Sequence, residues 1–326
     1  VRGVSRRNRE AGMGAPIIAV EKKPAEAPMF RSRPGTLFLR FKCTLQEIDA
    51  GACNAALELH SVYNQTEITV DGQKIPLERD VTTQLAYTIG QPYVQSLGFN
   101  EFLHGTGYIK SGLFYMQPYE PDKIPIVLVH GTFSSPVAWA EMANTLRADP
   151  IVNRKYQIWN FFYDSGKRIG ASAHELREAL SAQVHQVDPE GTNAALRQMV
   201  VIGHSQGGLL TKLTAADTGD AFVRMATGKS LAQLDVSAEE RARLEKESVF
   251  TALPFVKRVV FIATPHRGSF LSKNWVRTLV LKMITLPKGV LQSTANLMHT
   301  IGRLGVSEAH AQQFVAATSL DAMSPD

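Results

Sequence analysis

The sequence predicts an α/β protein with a mostly parallel sheet and helices on both faces, preceded by a small antiparallel β module. Three observations carry this expectation. From Ile124 to Thr264, continuous apolar runs alternate with helix-periodic stretches over short connections, the pattern of a parallel sheet joined by crossovers. One of these runs, Met199 to Ile202, turns at Gly203-His204-Ser205-Gln206-Gly207 into a new helical pattern. Between residues 35 and 80 the texture is different, with short alternating segments around the tight-turn dipeptide Asp71-Gly72.

Composition is that of ordinary globular material: 326 residues, 44% hydrophobic and 20% charged, enough for one large domain and a smaller one. The net charge of +5 is mild, and much of it sits near the start, at Arg2, Arg6, Arg7, Arg9, Lys22, Lys23, Arg31 and Arg33. No basic motif interleaved with aromatics accompanies it, so nucleic-acid binding is not expected. No run of about 18 apolar residues is present, so no transmembrane helix is expected. The first residue is Val1 and no signal-peptide pattern follows, so the expectation is that the natural start lies upstream. Two cysteines, Cys43 and Cys53, flank the polar segment Thr44–Ala52; they are either a pair across a hairpin, in an oxidising compartment, or two buried thiols.

In chain order, residues 1–34 mix Arg, Pro, Gly and Ala without periodicity and read as an extended basic arm. Residues 35–80 form the β module, from the strand-like Thr36–Phe41, Ala56–Tyr63 and Glu67–Asp71 and the return strand Gln73–Ile75. His60, on one of these strands, is a surface or packing histidine. The larger domain takes in 81–326. It opens with helical material over Val81–Leu103, broken near Gln91-Pro92, and a strand within Gly107–Met116. A buried strand from Ile124, ending in His130-Gly131, leads through Thr132-Phe133 and a loop to a helix over Pro136–Arg147. Tyr156–Tyr163 is the next strand, closed by Asp164-Ser-Gly166, and Ile169–Gln186 the next helix. After the turn at Ser205, Leu209, Leu210, Leu213 and Ala216 recur at helical spacing. Residues 219–256, with the capping box Ser237…Glu240, read as a surface insertion, and Lys257–Thr264 as a further strand. Leu271, Trp275, Leu279 and Met283 then line one helical face, which makes 269–302 a cap over an apolar pocket or a helix packed on the core.

The chemistry concentrates at Ser205. A serine on a sharp strand-to-helix turn has its hydroxyl exposed and a helix N-terminus behind it, where negative charge is favoured. Small residues are needed two before and two after it, and Gly203 and Gly207 supply them. With the upstream strand ending in His130-Gly131, this pattern resembles the lipase- and esterase-like members of the α/β-hydrolase superfamily, over roughly 118–269. The resemblance implies Ser205 as nucleophile, with the backbone N–H groups of Gln206 and Thr132 as oxyanion donors and Phe133 as the alternative second donor. It also implies that His130, Gly131, Phe133 and His204 line the site in the loop and elbow. Thr264-Pro265-His266-Arg267-Gly268-Ser269 resembles the stretch that follows the corresponding strand in such enzymes, making His266 a residue that shapes the site rather than the base.

The resemblance further implies an acid and then a histidine after later strands. The available residues do not meet that pattern. Asp217, Asp220 and Asp235 fall in the elbow helix or insertion, His299 and His310 in helical stretches, and Asp321 and Asp326 at a terminal turn. The expectation is therefore a chain cut short before the acid and base. The implied function is hydrolysis of a carboxylic ester through an acyl-enzyme at Ser205, on a small-molecule or lipid substrate and with no metal or cofactor. The same fold serves amidases and acyltransferases, and a non-catalytic binding protein is the alternative from another class. Peripheral membrane contact through the basic arm and the cap helix is compatible with the enzyme reading. An exported bacterial location is the corresponding expectation, with the oligomeric state open.

Overall fold

The computed structural model describes residues 4–20, 32–63, 65–91, 110–132 and 134–268. The chain divides into two compact units: residues 1–95 with 140–154, and residues 96–139 with 155–326. The expected cap at 269–302, His299, His310 and Phe133 lie outside the described residues.

The first unit holds strands β1 (Arg9–Glu10), β2 (Ala15–Val20), β3 (Ser32–Phe41), β4 (Ala55–Ser61), β5 (Glu67–Val70), β6 (Gln73–Pro76) and β7 (Arg79–Asp80). Among its helices are α1 (Leu45–Asp49), α2 (Val81–Ile89) and α3 (Ala140–Ala148), the last followed by a short helical turn at Pro150–Lys155. β2, β3 and β4 make an antiparallel sheet with β3 in the middle, while β5 and β6 form the hairpin foreseen at Asp71-Gly72. Asp71 and Gly72 both take positive φ, 50° and 79°, as a two-residue turn of this hand requires. β2 and β1 lie inside the stretch read as an extended arm. Ala15–Val20 shows no alternation of its own; it becomes a strand because it pairs along its whole length with β3, a non-local partner that local pattern does not reveal.

Residues 42–54 do not make a plain hairpin loop. Thr44 caps α1 in a capping box with Glu47, and Cys43 and Cys53 are joined as a disulfide with Cα atoms 5.5 Å apart. The other boundary difference concerns 140–154, which was expected within the hydrolase-like domain. Asn144 of α3 explains its grouping with the first unit: buried, it donates to the Arg6 carbonyl at 2.7 Å and accepts from Thr82 Oγ1 at 2.7 Å. Both bonds are invisible at sequence level because their partners are 138 and 62 residues away.

The second unit is built on a five-stranded sheet of β8 (Gly112–Tyr115), β9 (Ile124–Val129), β10 (Tyr156–Phe162), β11 (Met199–His204) and β12 (Val256–Ile262), in the order β12-β11-β9-β10-β8. β9 to β12 run parallel and β8 is antiparallel to β10. Helices α4 (Ile169–Val187), α5 (Gln206–Lys212), α6 (Ala221–Thr227) and α7 (Ala238–Ser248) complete it, the last two inside the expected insertion.

Why this sheet forms is plain from its residues. β9 and β10 are apolar along nearly their whole length and buried on both faces, as strands covered on both sides must be. On one face Val127, Val129, Trp159, Phe161, Met199 and Val201 meet Ala173, Leu176 and Leu180 of α4 and Leu210 of α5. The order places β10 and β11 on opposite sides of β9, so the loops leaving the carboxyl ends of β9 and β11 diverge at a topological switch point. Open α/β sheets bind ligands at such a point.

The packing predicts a contrast. Leu176→Ala, at a fully buried position, should lower unfolding free energy by about 3 kcal/mol, read as a lower urea midpoint at unchanged slope. Leu57→Ala, on an exposed face of β4, should move it by no more than about 0.5 kcal/mol.

Candidate functional site

At the carboxyl end of β11 the chain turns through Ser205 and enters α5 at Gln206. Ser205 has φ 51° and ψ −124°, a conformation that an L-residue holds only when its surroundings enforce it, at a cost of order 1–3 kcal/mol. Three close approaches enforce it. A Cβ on Gly203 would collide with the Gly207 carbonyl and Thr211 Oγ1; one on Gly207 would collide with the carbonyls of Val129 and His130; one on Gly208 would collide with Thr264. Ser205 is also fastened to the neighbouring strand end, its N–H donating to the Ile262 carbonyl at 2.8 Å. Directly beyond that carbonyl, Ala263 is itself at φ 48°. The sequence identified the first two glycines as necessary; the need for Gly208 follows only from Thr264, which lies 56 positions away in the chain.

The loop after β9 abuts the elbow. An added Cβ on Gly131 would lie 3.0 Å from Ser205 Cβ and 3.0 Å from His204 Nδ1, so at this position the main chain itself faces the serine. Thr132 follows, and its hydroxyl donates to Gln206 Oε1 at 2.6 Å. The Gln206 amide, fully buried, reaches on to the Ser165 carbonyl at 3.2 Å, so one side chain joins the loop after β9 to the loop after β10. The resemblance in the sequence points to the backbone N–H of Gln206, which as the first of α5 has no partner within the helix. Its side-chain role carries no sequence signature, since any polar residue would satisfy the G-x-S-x-G pattern.

The histidines separate clearly. His130 is buried, and its ring stacks on Tyr163 with centroids 4.4 Å apart. Its Nδ1 lies 2.9 Å from the Gly131 carbonyl, and its Nε2 accepts from the Tyr163 N–H at 3.3 Å. These two bonds together require the neutral Nδ1–H tautomer. Burial pushes the ring's pKa down to about 4, against a smaller opposing effect of the bond to Gly131. Tyr163 returns a bond from its hydroxyl to the His130 carbonyl at 2.9 Å, so the pair braces the loop that carries Gly131. His204 is exposed and meets Trp139 edge to face at 6.3 Å. His266 is exposed and stands perpendicular to Phe261 at 4.6 Å.

Among the described residues, no histidine is hydrogen-bonded to Ser205. Asp164, at the end of β10, accepts from the Gly166 N–H at 2.8 Å, and Asp217 accepts from the Ala252 N–H at 2.8 Å. Asp220 accepts from the Leu231 N–H at 3.4 Å. These carboxylates hold turns and loops. The arrangement therefore places a half-buried serine on a strained turn, with a helix N-terminus behind it and a glycine backbone alongside.

No family model matches the chain, and no curated protein matches it. Among solved structures it is similar to the mature form of the Bacillus licheniformis lipase BlEst2, at 19% identity over 53% of this chain and 57% of that one, with a TM-score of 0.30. It covers 28% of the same lipase in its propeptide form. It is also similar to esterase B from Lactobacillus rhamnosis inhibited by a tributyrin phosphonate, at 11% identity over 66% of each chain and a TM-score of 0.32. The Pyrococcus furiosus esterase Pf2001 matches at 13% identity over 50% of this chain and 82% of that one, with a TM-score of 0.23. Likenesses at these scores add no argument to the one made by the sheet and the elbow. The chain is an α/β protein with a mostly parallel sheet, similar over about half its length to bacterial lipases and esterases.

The buried neutral His130 sets a pH dependence. Its folded pKa lies below the unfolded value of about 6.5, so its contribution is fully present above that pH and is lost as pH falls towards 4. The loss should reach about 3 kcal/mol at most. In urea titrations across pH 7 to 4, His130→Gln should flatten the decline by about one proton's worth of slope relative to the wild type.

Proposed function

We propose that the protein is a serine hydrolase of carboxylic esters, in which Ser205 attacks the ester carbonyl and forms an acyl-enzyme that water then hydrolyses. The observation that carries the proposal is the Ser205 turn itself: a non-glycine residue held at φ 51° with the Gly131 backbone packed against it. Strain of this kind persists where the surroundings over-determine it, and it is concentrated at reacting groups.

In this reading the tetrahedral oxyanion is held by the backbone N–H groups of Gln206 and Thr132. Gln206 opens α5 and Thr132 sits in the loop after β9; donors stabilise developing charge best when they need no reorganisation. The bond from Thr132 Oγ1 to Gln206 Oε1 fixes the spacing of the two residues. His130 is a brace rather than a base: it is buried, neutral and bonded through both ring nitrogens. His204 and His266 shape the mouth. An apolar acyl group is the expected specificity, and acyl transfer to an acceptor other than water is the variant of the same chemistry.

The absence of a histidine partner for Ser205 among the described residues favours a second reading, a protein that keeps the elbow as scaffold and does no chemistry. Ester hydrolysis separates the two. With p-nitrophenyl esters and the full-length protein, the enzyme reading expects Ser205→Ala to lower kcat/KM by at least about 10⁴-fold. Gly131→Ala, which forces the loop away from Ser205, should lower kcat by about 10²-fold with a smaller change in KM. A folded wild-type protein with no turnover above buffer would favour the scaffold reading.

A further inference from the structure

The β2-β3-β4 sheet of the first unit has two faces of opposite character. One is internal: Phe38 packs with Ile68 and Leu77, Thr36 donates to the Glu78 carbonyl, and Ser32 bonds with Thr88. The other carries Ala15, Ile17 and Ala19 of β2, Arg33, Gly35, Leu37, Leu39 and Phe41 of β3, and Ala55, Leu57, Leu59 and Ser61 of β4, by strand alternation and the pairing register. Leu37 lies opposite Leu59, Leu39 opposite Leu57 and Phe41 opposite Ala55. Alternation in an ordinary half-buried sheet puts polar residues outside. Here the outer positions are the more apolar ones: Leu39 is 49% exposed, Phe41 52%, Leu57 66% and Leu59 61%.

The stripe runs towards the end of the β3–β4 hairpin, where Phe41 pairs with Ala55 and the chain continues into α1. α1 has no buried residue; Leu45 is 83% exposed, held out by the Thr44–Glu47 capping box and the Cys43–Cys53 bond. A five-residue helix has no intrinsic stability in water. The cap and cross-link thus fix an apolar tip that contributes nothing to a core.

We propose that this face is a docking surface for an anionic lipid bilayer. Area argues for a lipid surface over a second copy of the chain. Leu39, Phe41, Leu57 and Leu59 leave on the order of 400 Å² of side chain in water, large for one patch on a monomer but about half of what each partner buries in a standard protein interface. Composition agrees: apart from Arg33 and Ser61 the face is aliphatic with one Phe, and it lacks the Tyr and Trp in which protein interfaces are enriched. Charge selects an anionic bilayer. The first 42 residues, which include β2 and β3, hold ten Lys and Arg against three Glu. Arg33 and Lys42 stand exposed at the two ends of β3, and neither makes an ion pair among the described residues. Each such cation near an anionic surface adds attraction. Glu47 is engaged with Thr44, which leaves Asp49 as the acid on α1 that the surface must tolerate. No described helix is long and apolar enough to cross a membrane, so contact of this kind is interfacial.

The test is vesicle co-sedimentation of the full-length protein, using phosphatidylcholine alone and phosphatidylcholine with about a third phosphatidylglycerol. The wild type is expected to sediment with the anionic vesicles and to be released by salt. A triple variant, Leu39→Gln, Leu57→Gln and Leu59→Gln, should partition at least tenfold more weakly while melting as the wild type does, since all three side chains are exposed. Arg33→Gln with Lys42→Gln should weaken binding to anionic vesicles and leave the small binding to phosphatidylcholine unchanged. Ser205→Ala should sediment as the wild type, which keeps this surface separate from the ester chemistry. The proposal is overturned if the wild type sediments with neither vesicle, or if the triple variant sediments unchanged. It is equally overturned if the wild type is a dimer in analytical ultracentrifugation that the triple variant converts to a monomer, which would make the face an interface between copies.

Discussion

The candidate site depends on one constraint: Ser205 must stay at positive φ between a strand that ends and a helix that begins. No local preference holds it there. It is held because Gly203 lies against the first turn of α5, Gly207 against the carbonyls of Val129 and His130, and Gly208 against the Thr264 side chain, so that none of the three has room for a side chain. The bond from the Ser205 N–H to the Ile262 carbonyl ties the turn to β12. The apolar content of the five strands therefore has a consequence beyond stability. A well-packed sheet is stiff enough to keep a strained residue strained at the N-terminus of a helix.

The same stiffness extends sideways through polar contacts. His130 and Tyr163 exchange hydrogen bonds between the ends of β9 and β10, and Gln206 spans from Thr132 to Ser165. These buried polar groups are satisfied by one another, so the loop bearing Gly131 is positioned rather than merely adjacent. A half-satisfied network in the same place would cost stability and leave the loop free to move.

How much of this could be read from the sequence depended on the range of the interaction involved. The parallel strands were legible because each is a continuous apolar run, and the elbow because close packing demands glycine at fixed offsets from Ser205. The Asp71-Gly72 hairpin was legible for the same local reason. What escaped was non-local. β2 is a strand only through β3; α3 belongs with the first unit through Asn144; Gly208 is required through Thr264; and the Gln206 side chain acts through Ser165. The exposed apolar face escaped for a related reason. Alternation along β3 and β4 was visible, but which phase faced outward was fixed by the packing of Phe38 on Ile68 and Leu77.

The central claim is that the fold presents Ser205 as a nucleophile, and the most direct test is the site of covalent capture. Full-length protein would be incubated with a fluorophosphonate and its peptides mapped by mass spectrometry. The account predicts one phosphonyl addition per chain, on the peptide containing Ser205, and none in Ser205→Ala. A folded protein that acquires no adduct, or acquires it on other serines to the same extent, would contradict it.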